Sequence, residues 1–335
     1  METLSVVDLI KEGKLEGFNE APEMVVTTIS NIFIFREAGK VLKMYRRDNE
    51  YWNTSFSDLS GGETRSQFIR EDFAANRAVN PTVYLDLQKV QVEGEKITLT
   101  SPQETDDELV IVMSYVNAKE SFNDKLFQGS VSENDFTSMG TQFAKIKKHI
   151  SVPEERTKEN WFELMLQRIP DLEVWMKHLN QHIPSDVTQR CIETLTRYKD
   201  ENKEYFSSIK GDDLVYTIDA HGENALFNEG KLEFIDILLP AARWRWTPKE
   251  YDIYRLGTDV YVLAGEEAFE KYIEGAKKEY ANFEEKDRDF YLLYCAGLMV
   301  CILATLVQSK PEKEPLMKKY YEGFIELLER AKSGI

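Results

Sequence analysis

The sequence predicts an α+β fold in which a β-rich first third precedes a mainly helical remainder. Runs of β-branched and aromatic residues, separated by turn residues, indicate antiparallel strands. These runs lie at 24–35, 41–45, 83–92, 96–100 and 109–113. One helical stretch, at about 64–78, lies between them, and from about residue 130 onward apolar residues recur with a helical period. We therefore expect a small antiparallel sheet with one helix, followed by a helical region.

Composition limits the possible partners and the compartment. The formal net charge is −17 over 335 residues, which argues against a nucleic-acid partner because phosphate binding needs a basic surface. The three cysteines, Cys191, Cys295 and Cys301, form neither a disulfide framework nor a metal-ligand spacing. The first residues lack the basic and apolar regions of a signal peptide. We expect a cytoplasmic protein that binds neither nucleic acid nor a membrane, and the sequence leaves its oligomeric state open.

One apolar segment, 290–307, approaches the length of a membrane span. It lacks basic flanking loops and lies near the end of an otherwise polar chain. The pattern therefore favours a buried core helix over a transmembrane one.

The most informative stretch runs from Tyr216 to Asp236. Three of its oxygen-bearing side chains stand out, Asp219, Asn224 and Asp236, and the last two flank a short hairpin with an Asn-Glu-Gly turn. This spacing is typical of phosphotransferase catalytic loops, in which one Asp accepts a hydroxyl proton while an Asn and a second Asp hold Mg²⁺. Because Mg²⁺ keeps several waters, two protein ligands and the nucleotide phosphates are sufficient.

A second register of the same pattern uses Glu223 as the base and Asn228 as the amide ligand. It places Asn228 in the turn, at the far end of the hairpin from Asp236. We prefer the register of Asp219, Asn224 and Asp236, in which both ligands emerge at the open end.

The segment Asp219-Ala-His-Gly-Glu-Asn224 resembles the D-x-H-x-E-N loop of aminoglycoside phosphotransferase-like kinases. The resemblance is closest to the bacterial group in which this domain is often fused to a P-loop ATPase. Further on, Arg245-Trp246, Asp252 and Asp259 match the group's R-W, D and M-D-L positions. The chain departs from the pattern in having Thr217-Ile for His-Gly, and Ile237-Leu238 for the glycine after the metal Asp.

The resemblance implies a two-lobed protein-kinase-like fold, with an N-lobe over 1–115 and a C-lobe over 116–335. The small antiparallel N-lobe would bind the nucleotide phosphates. The mainly helical C-lobe would carry the catalytic loop, the metal site and the substrate region. Asp252 would be a buried support that hydrogen-bonds the catalytic loop.

In the N-lobe, Val41-Leu-Lys43 resembles the family's V-Y-K, which makes Lys43 the lysine that clamps the α- and β-phosphates. Glu71, on the helix at 64–78, is its expected partner by analogy with the kinase Lys–Glu pair. Asp72 is adjacent and stays open as the alternative. A Ser-Gly-Gly-Glu capping box at 60–63 would start this helix.

The glycine-rich loop of kinases is missing. Its place is taken by 27–31, which resembles the group's T-H-I-S-W, so that Thr28 and Ser30 would face phosphate. The order of elements makes 114–117 the hinge between the lobes, and backbone groups around Met113 and Tyr115 would hold the adenine.

These features together imply an ATP- and Mg²⁺-dependent phosphotransferase acting on the hydroxyl of a small molecule. Asp219 and Lys43 would be its catalytic residues. Two alternatives remain open: a protein acceptor, and a catalytically weak nucleotide-binding module that regulates a partner. The missing glycine-rich loop and the missing glycine after Asp236 favour the second alternative.

Overall fold

The computed structural model describes residues 5–116, 120–149, 156–280, 283 and 285–334. The chain divides into two compact units, Met1–Asn117 and Ala118–Ile335. This division falls two residues beyond the expected boundary at residue 115. Asn117, at the end of the expected hinge, lies outside the described residues.

The first unit is built on one six-stranded sheet in the order β1-β2-β3-β6-β4-β5. Its strands are β1 Glu23–Val26, β2 Ser30–Phe35, β3 Lys40–Tyr45, β4 Tyr84–Glu93, β5 Lys96–Thr100 and β6 Leu109–Ser114. All neighbouring strands pair antiparallel. Three helices accompany them: α1 Val6–Lys11, α2 Glu50–Ser55 and α3 Gly62–Val79. Side chains from β2, β3 and β6, including Phe33, Leu42 and Val110, form a core with α1.

The sheet has six strands, not five, because the run at 24–35 is interrupted by a turn. The Ser30 N–H donates to Thr27 Oγ1 at 2.9 Å, and the Thr27 N–H donates to the Ser30 carbonyl at 2.8 Å. Threonine and serine side chains compete with sheet pairing in this way, so a β-rich run folds as a hairpin. Two short helices are added to α3: α1 follows the amphipathic pattern of Val6, Val7 and Ile10, whereas α2 was not expected.

The expected capping box at the start of α3 is wrong. Ser60 Oγ donates to Asp58 instead of capping the helix, which begins at Gly62. The Gly62 N–H donates to Asp107 Oδ2 at 2.8 Å, so a carboxylate before β6 satisfies this orphan donor. Arg65, which is fully buried, ties the same end of α3 to the Tyr45 carbonyl. The helix is therefore anchored to the sheet at its N-terminus.

The second unit is mainly helical. Its helices are α4 Phe122–Phe127, α5 Glu133–His149, α6 Trp161–His178, α7 Ser185–Glu201, α8 Lys203–Ser208, α9 Lys249–Ala264, α10 Glu266–Lys277, α11 Arg288–Val307 and α12 Glu314–Gly334. Two small antiparallel pairs complete it. They are β7 Leu214–Tyr216 with β10 Trp246–Pro248, and β8 Ala225–Asn228 with β9 Lys231–Phe234.

The apolar segment is α11, whose side chains lie in the interior of this unit. It is long and apolar enough to cross a bilayer by length and composition, but 78% of its apolar window is buried. It packs against α12 and α9, and its tyrosines contact aromatic side chains of α9. This burial agrees with the expected core helix.

Candidate functional site

The hairpin of β8 and β9 gathers the three candidate residues at its open end. Ala225 pairs with Phe234 at that end, just after Asn224 and just before Asp236. The Ile235 N–H donates to the Asn224 carbonyl, and the Asp219 N–H donates to the Ile237 carbonyl, both at 2.8 Å. The structure thus brings Asp219, Asn224 and Asp236 together, in the preferred register.

The side chain of Asn224 is held in a defined orientation. Its Nδ2 donates to the Asp219 carbonyl at 3.2 Å and to the Asp236 carbonyl at 2.8 Å. Because the amide nitrogen faces these two carbonyls, Oδ1 points away from them and can accept a cation. The same hydrogen bonds fix the spacing between the main chains of the other two residues.

Asp236 has a left-handed backbone, with φ of 56°. Aspartate tolerates this conformation better than most residues that carry a Cβ. The two residues that follow it have ordinary φ, so no glycine is needed after the aspartate. Such a conformation is a local strain of the kind that functional sites retain.

Asp219 is partly exposed and is paired on both oxygens. Arg255 Nη2 lies 3.1 Å from Oδ1, and His221 Nε2 lies 3.5 Å from Oδ2. Burial alone would raise the pKa of Asp219, but the charges and hydrogen bonds of His221 and Arg255 outweigh it and lower the pKa. The carboxylate is therefore ionised at neutral pH.

Sequence reasoning missed Arg255. A signal was present, because Asp252, Arg255 and Asp259 are three and four residues apart and lie on one face of a helix. All three side chains are buried on α9. Charged side chains are almost never fully buried unless they are paired.

The two aspartates of α9 support the loop at 217–224. Asp252 accepts a hydrogen bond from Thr217 Oγ1 and pairs with the buried Lys147. Asp259 accepts from the Gly222 N–H and from the Tyr320 hydroxyl. Burial raises the pKa of Asp252 to about 6 and also raises the pKa of Asp259. The expectation that Asp252 is a buried support of the loop is confirmed, with Thr217 making the contact.

The competing register of Glu223 and Asn228 is not assembled with Asp236. Asn228 pairs with Lys231 at the turn end of the hairpin and accepts from Lys125 Nζ at 3.0 Å. Three strand residues separate it from the open end, which is about 10 Å. Glu223 instead faces Lys313, with Nζ to Oε2 at 2.9 Å.

In the first unit, Lys43 forms a buried ion pair with Asp72. Lys43 lies on β3 between Ile32 and Ile111 of the flanking strands, and its Nζ is 3.0 Å from Asp72 Oδ2. Both side chains are buried. The Asp72 carboxylate also accepts hydrogen bonds from the Tyr45 hydroxyl at 2.8 Å and from Asn76 Nδ2 at 2.7 Å.

The expected partner, Glu71, is thereby corrected to Asp72, the alternative that the sequence left open. Asp72 lies on the face of α3 that also buries Phe68, Ile69 and Asn76. Glu71 is one position further round the helix, half-buried, and accepts a hydrogen bond from Gln67 Nε2 at 2.7 Å. The helical period, not the charge, decides which acid faces the lysine.

The turn at 27–30 occupies the place of a glycine-rich loop. Arg46 and Asn49 bind its carbonyls: Arg46 donates to those of Thr27 and Ile29, and Asn49 Nδ2 donates to that of Thr28 at 2.7 Å. In a trans peptide the next N–H points away from the carbonyl, so the N–H groups of Thr28 and Ile29 turn to the opposite side. Adjacent N–H groups on one side of a turn are suited to an anion.

Ser30, the other expected phosphate contact, is placed differently. It is buried at the start of β2, and its Oγ has no hydrogen-bond partner within the described ranges. Its N–H is taken by Thr27 Oγ1.

The residues expected to hold adenine lie at the end of β6. Met113 pairs with Val41 of β3 and Tyr84 of β4. The Tyr115 N–H donates to the Gly39 carbonyl at 2.9 Å, and the phenol accepts from Arg36. An adenine contact from Tyr115 would therefore use its carbonyl or its ring.

No protein-family model matches the sequence, and no curated protein matches it either. Solved structures do match over nearly the whole chain. A glucosamine kinase in complex with glucosamine, ADP and inorganic phosphate has a TM-score of 0.54 at 12% identity, covering 93% of this chain and 80% of that one. An amicoumacin kinase in complex with AMP-PNP, Ca²⁺ and Ami has a TM-score of 0.51 at 13% identity, covering 97% of this chain and 93% of that one.

A microcompartment-associated aminopropanol kinase is similar as well, with a TM-score of 0.50 at 13% identity over 98% of this chain and 97% of that one. At these identities the likeness concerns the fold. The expected fold class is confirmed: an antiparallel β lobe precedes a helical lobe, as in these kinases. The chain has the fold of small-molecule kinases, the group to which its motifs point.

Proposed function

We propose that this chain is an ATP- and Mg²⁺-dependent phosphotransferase that moves the γ-phosphoryl group to a hydroxyl of a small molecule. The observation that carries the proposal is the constellation at the open end of the β8–β9 hairpin. There Asp219 is an ionised carboxylate, the Asn224 amide turns its oxygen away from two carbonyls, and Asp236 lies at the same end of the hairpin. The kinase-like fold supports the same conclusion.

Asp219 would orient the acceptor hydroxyl and accept its proton. One of its oxygens is bonded to Arg255, which fixes the carboxylate plane and keeps it charged. Transfer of a phosphoryl group depends mainly on positioning and charge stabilisation, so an ionised, rigid carboxylate is well suited to the task.

Asn224 and Asp236 would hold Mg²⁺. The fit is supported by the orientation of the Asn224 amide, whose nitrogen is bound to two carbonyls. Within the described parts of the chain, no group of three or more His, Cys, Asp or Glu side chains is arranged for a metal. The two ligands Asn224 and Asp236 suit an ion that completes its octahedral coordination with phosphate and water. When bound, the metal would neutralise charge on the transferred phosphate.

In the N-lobe, Lys43 would neutralise phosphate charge, with Asp72 fixing its ammonium. The Thr28 N–H and Ile29 N–H would contact a phosphate oxygen. For Thr28, the proposed phosphate contact would therefore involve the backbone N–H as well as the side-chain hydroxyl. Roles for Glu71, Ser30, Met113 and Tyr115 in nucleotide binding stay predictions.

The acceptor would be a hydroxyl compound that also carries an amine. The net charge of −17 favours cationic ligands, and the kinases with similar folds include one bound to glucosamine and one named for aminopropanol. A cytoplasmic location suits an ATP-dependent enzyme whose three cysteines are free and buried.

The test is ADP release from Mg-ATP across amino sugars, amino alcohols, neutral polyols and a protein panel, with and without a chelator. Asp219→Asn should lower turnover by several orders of magnitude, whereas Asp213→Asn, an exposed acid upstream, should not. Asp236→Asn should abolish the dependence of ADP release on Mg²⁺. Its control is Glu229→Gln, which changes the other described non-glycine residue with positive φ.

Nucleotide binding without turnover on any acceptor would support the regulatory module instead. Turnover on protein acceptors alone would make the chain a protein kinase. Full activity of Asp219→Asn would overturn the assignment of the base.

A further inference from the structure

We propose that Lys313 is a positioning residue that holds the catalytic loop in its working conformation through Glu223. The inference rests on the proposed function of Asp219, Asn224 and Asp236, and concerns a side chain that lies far from them in sequence. It arises from a charged cluster that the catalytic assignment leaves unused: Ser121, Asp124, Glu223 and Lys313.

The ammonium of Lys313 bridges two carboxylates from separate elements. Its Nζ lies 2.9 Å from Glu223 Oε2 and 2.8 Å from both oxygens of Asp124 on α4. Ser121 Oγ lies 3.0 Å from Glu223 Oε1 and 2.9 Å from Asp124 Oδ2, so its one hydroxyl proton can be donated to either carboxylate. The Lys313 and Glu223 side chains are only 11% and 8% exposed, so this pair is shielded from solvent.

The cluster is adjacent to the metal ligand in the chain. Glu223 directly precedes Asn224, so the position of its side chain constrains the peptide from which the amide ligand projects. Gly222, one residue earlier, is held by α4 as well, because the Asn123 N–H donates to its carbonyl at 3.3 Å. The loop is thus held by α9 on one side and by α4 with Lys313 on the other.

A positive charge is needed at this place. Without Lys313, two carboxylates would stand together with little solvent, which is costly unless a cation compensates them. Burial would lower the pKa of Lys313, but Glu223 and Asp124 outweigh it and raise the pKa, so the lysine stays charged. Loss of the cation should push Glu223, and with it Asn224, out of place.

The first measurement is hydrogen exchange of the full chain over residues 219–224. Exchange should be faster in Lys313→Ala and close to wild type in Lys313→Arg, which keeps the charge. The matched control is Lys125→Ala. Lys125 also reaches from α4 to the hairpin, but it contacts Phe227 and Asn228 at the turn end. Unchanged exchange in Lys313→Ala, or equal acceleration in Lys125→Ala, would overturn the inference.

The second measurement is the Mg²⁺ dependence of ADP binding. Removal of groups that orient metal ligands typically costs 10–100-fold in metal affinity, so we expect roughly this loss in Lys313→Ala. Added n-propylammonium should restore part of it by filling the vacated space, and n-propanol should not. A Mg²⁺ dependence like that of wild type, or equal rescue by the alcohol, would contradict a role for the charge.

The two proposals fail separately. Hydrogen exchange requires no turnover, so an inactive wild-type protein would count against the proposed function and leave this measurement valid. An active wild type whose loop is indifferent to Lys313 would remove only the positioning role.

Discussion

Arg255 Nη2 lies 3.1 Å from Asp219 Oδ1, and this contact joins a buried arginine to a partly exposed aspartate. The arginine belongs to α9, the helix that also carries Asp252 and Asp259. One helix face therefore contacts the loop at 217–224 at three points: the hydroxyl of Thr217, the carboxylate of Asp219 and the N–H of Gly222. The loop conformation is thus determined largely by a helix that follows it in sequence.

Arg255→Met should shift the acid limb of the pH–rate profile to higher pH. The lowered pKa of Asp219 depends on His221 and Arg255, and removal of the arginine lets burial raise it. For the same reason Asp219 stabilises the fold above its unfolded pKa, and this contribution is lost as the pH falls through its folded value. The measurement is kcat/KM against pH.

The control for this variant is Arg190→Met, which removes a partly exposed partner of Glu329 and should leave the profile unchanged. An acid limb that stays in place in Arg255→Met would show that the arginine does not set the charge of Asp219.

Lys43→Met should weaken nucleotide binding and also destabilise the protein. Met preserves the apolar stem, but it leaves Asp72 buried without its ammonium partner. Breaking a buried pair by removing one member costs about 3–5 kcal/mol. The double variant Lys43→Met with Asp72→Asn should recover much of the unfolding free energy in urea, but not the nucleotide affinity.

The matched comparison is Asp72→Asn against Glu71→Gln, with ADP affinity as the readout. Asp72→Asn should weaken binding strongly, because the ammonium loses the carboxylate that lies 3.0 Å away, and Glu71→Gln should have a smaller effect. The reverse order would restore Glu71 as the functional partner.

Much of the fold was predictable because its elements carry strong local patterns. The strands at 83–92 and 96–100 and the helices α5, α6 and α7 follow from periodicity and turn residues. The division of 24–35 into two strands was not predicted, because a Thr-Thr-Ile-Ser turn has a strand-like composition. The turn forms through a hydrogen bond that the Thr27 hydroxyl accepts from the Ser30 N–H, which no periodicity reveals.

The candidate site was likewise predictable only in part. The spacing of Asp219, Asn224 and Asp236 is local, and the hairpin that unites them is visible in the sequence. Arg255 and Lys313 were missed because they reach the loop through tertiary packing from residues 36 or more positions away. The choice between Glu71 and Asp72 required the rotation of α3 about its axis, which is fixed by packing of the whole helix.

Arg46→Met and Asn49→Ala should raise the KM for ATP and leave kcat less affected. Each side chain binds one carbonyl of the turn at 27–30. Without these hydrogen bonds, the Thr28 and Ile29 N–H groups should no longer share one orientation. A hydrogen bond of this kind contributes about 0.5–1.5 kcal/mol, so a change of several-fold is expected.

Asp48→Asn is the control for these variants. It removes the exposed partner of Arg46 and leaves the contact with the Thr27 carbonyl in place. An equal effect of Asp48→Asn would indicate that charge near the turn matters, not its backbone geometry.

Gly222→Ala should disturb the catalytic loop because of steric crowding alone. The backbone of Gly222 does not have positive φ, so alanine is conformationally allowed there. Its Cβ, however, would stand 1.9 Å from Asn123 Oδ1, far inside contact distance. Overpacking of this kind costs about 1–3 kcal/mol, and here it would also displace Glu223 and Asn224. We expect a lower urea midpoint and a large loss of turnover.

The decisive variant is the double substitution Asn123→Ala with Gly222→Ala. The Asn123 amide is buried, and neither of its polar atoms has a hydrogen-bond partner among the described residues, so its removal opens space at little cost. The double variant should be more stable and more active than Gly222→Ala, a coupling expected of groups in direct contact. Gly297→Ala on α11, where the nearest atom is 3.3 Å away on the Leu172 side chain, should cost much less than Gly222→Ala. Simple additivity of the two substitutions would mean that Asn123 does not determine the need for glycine in this loop.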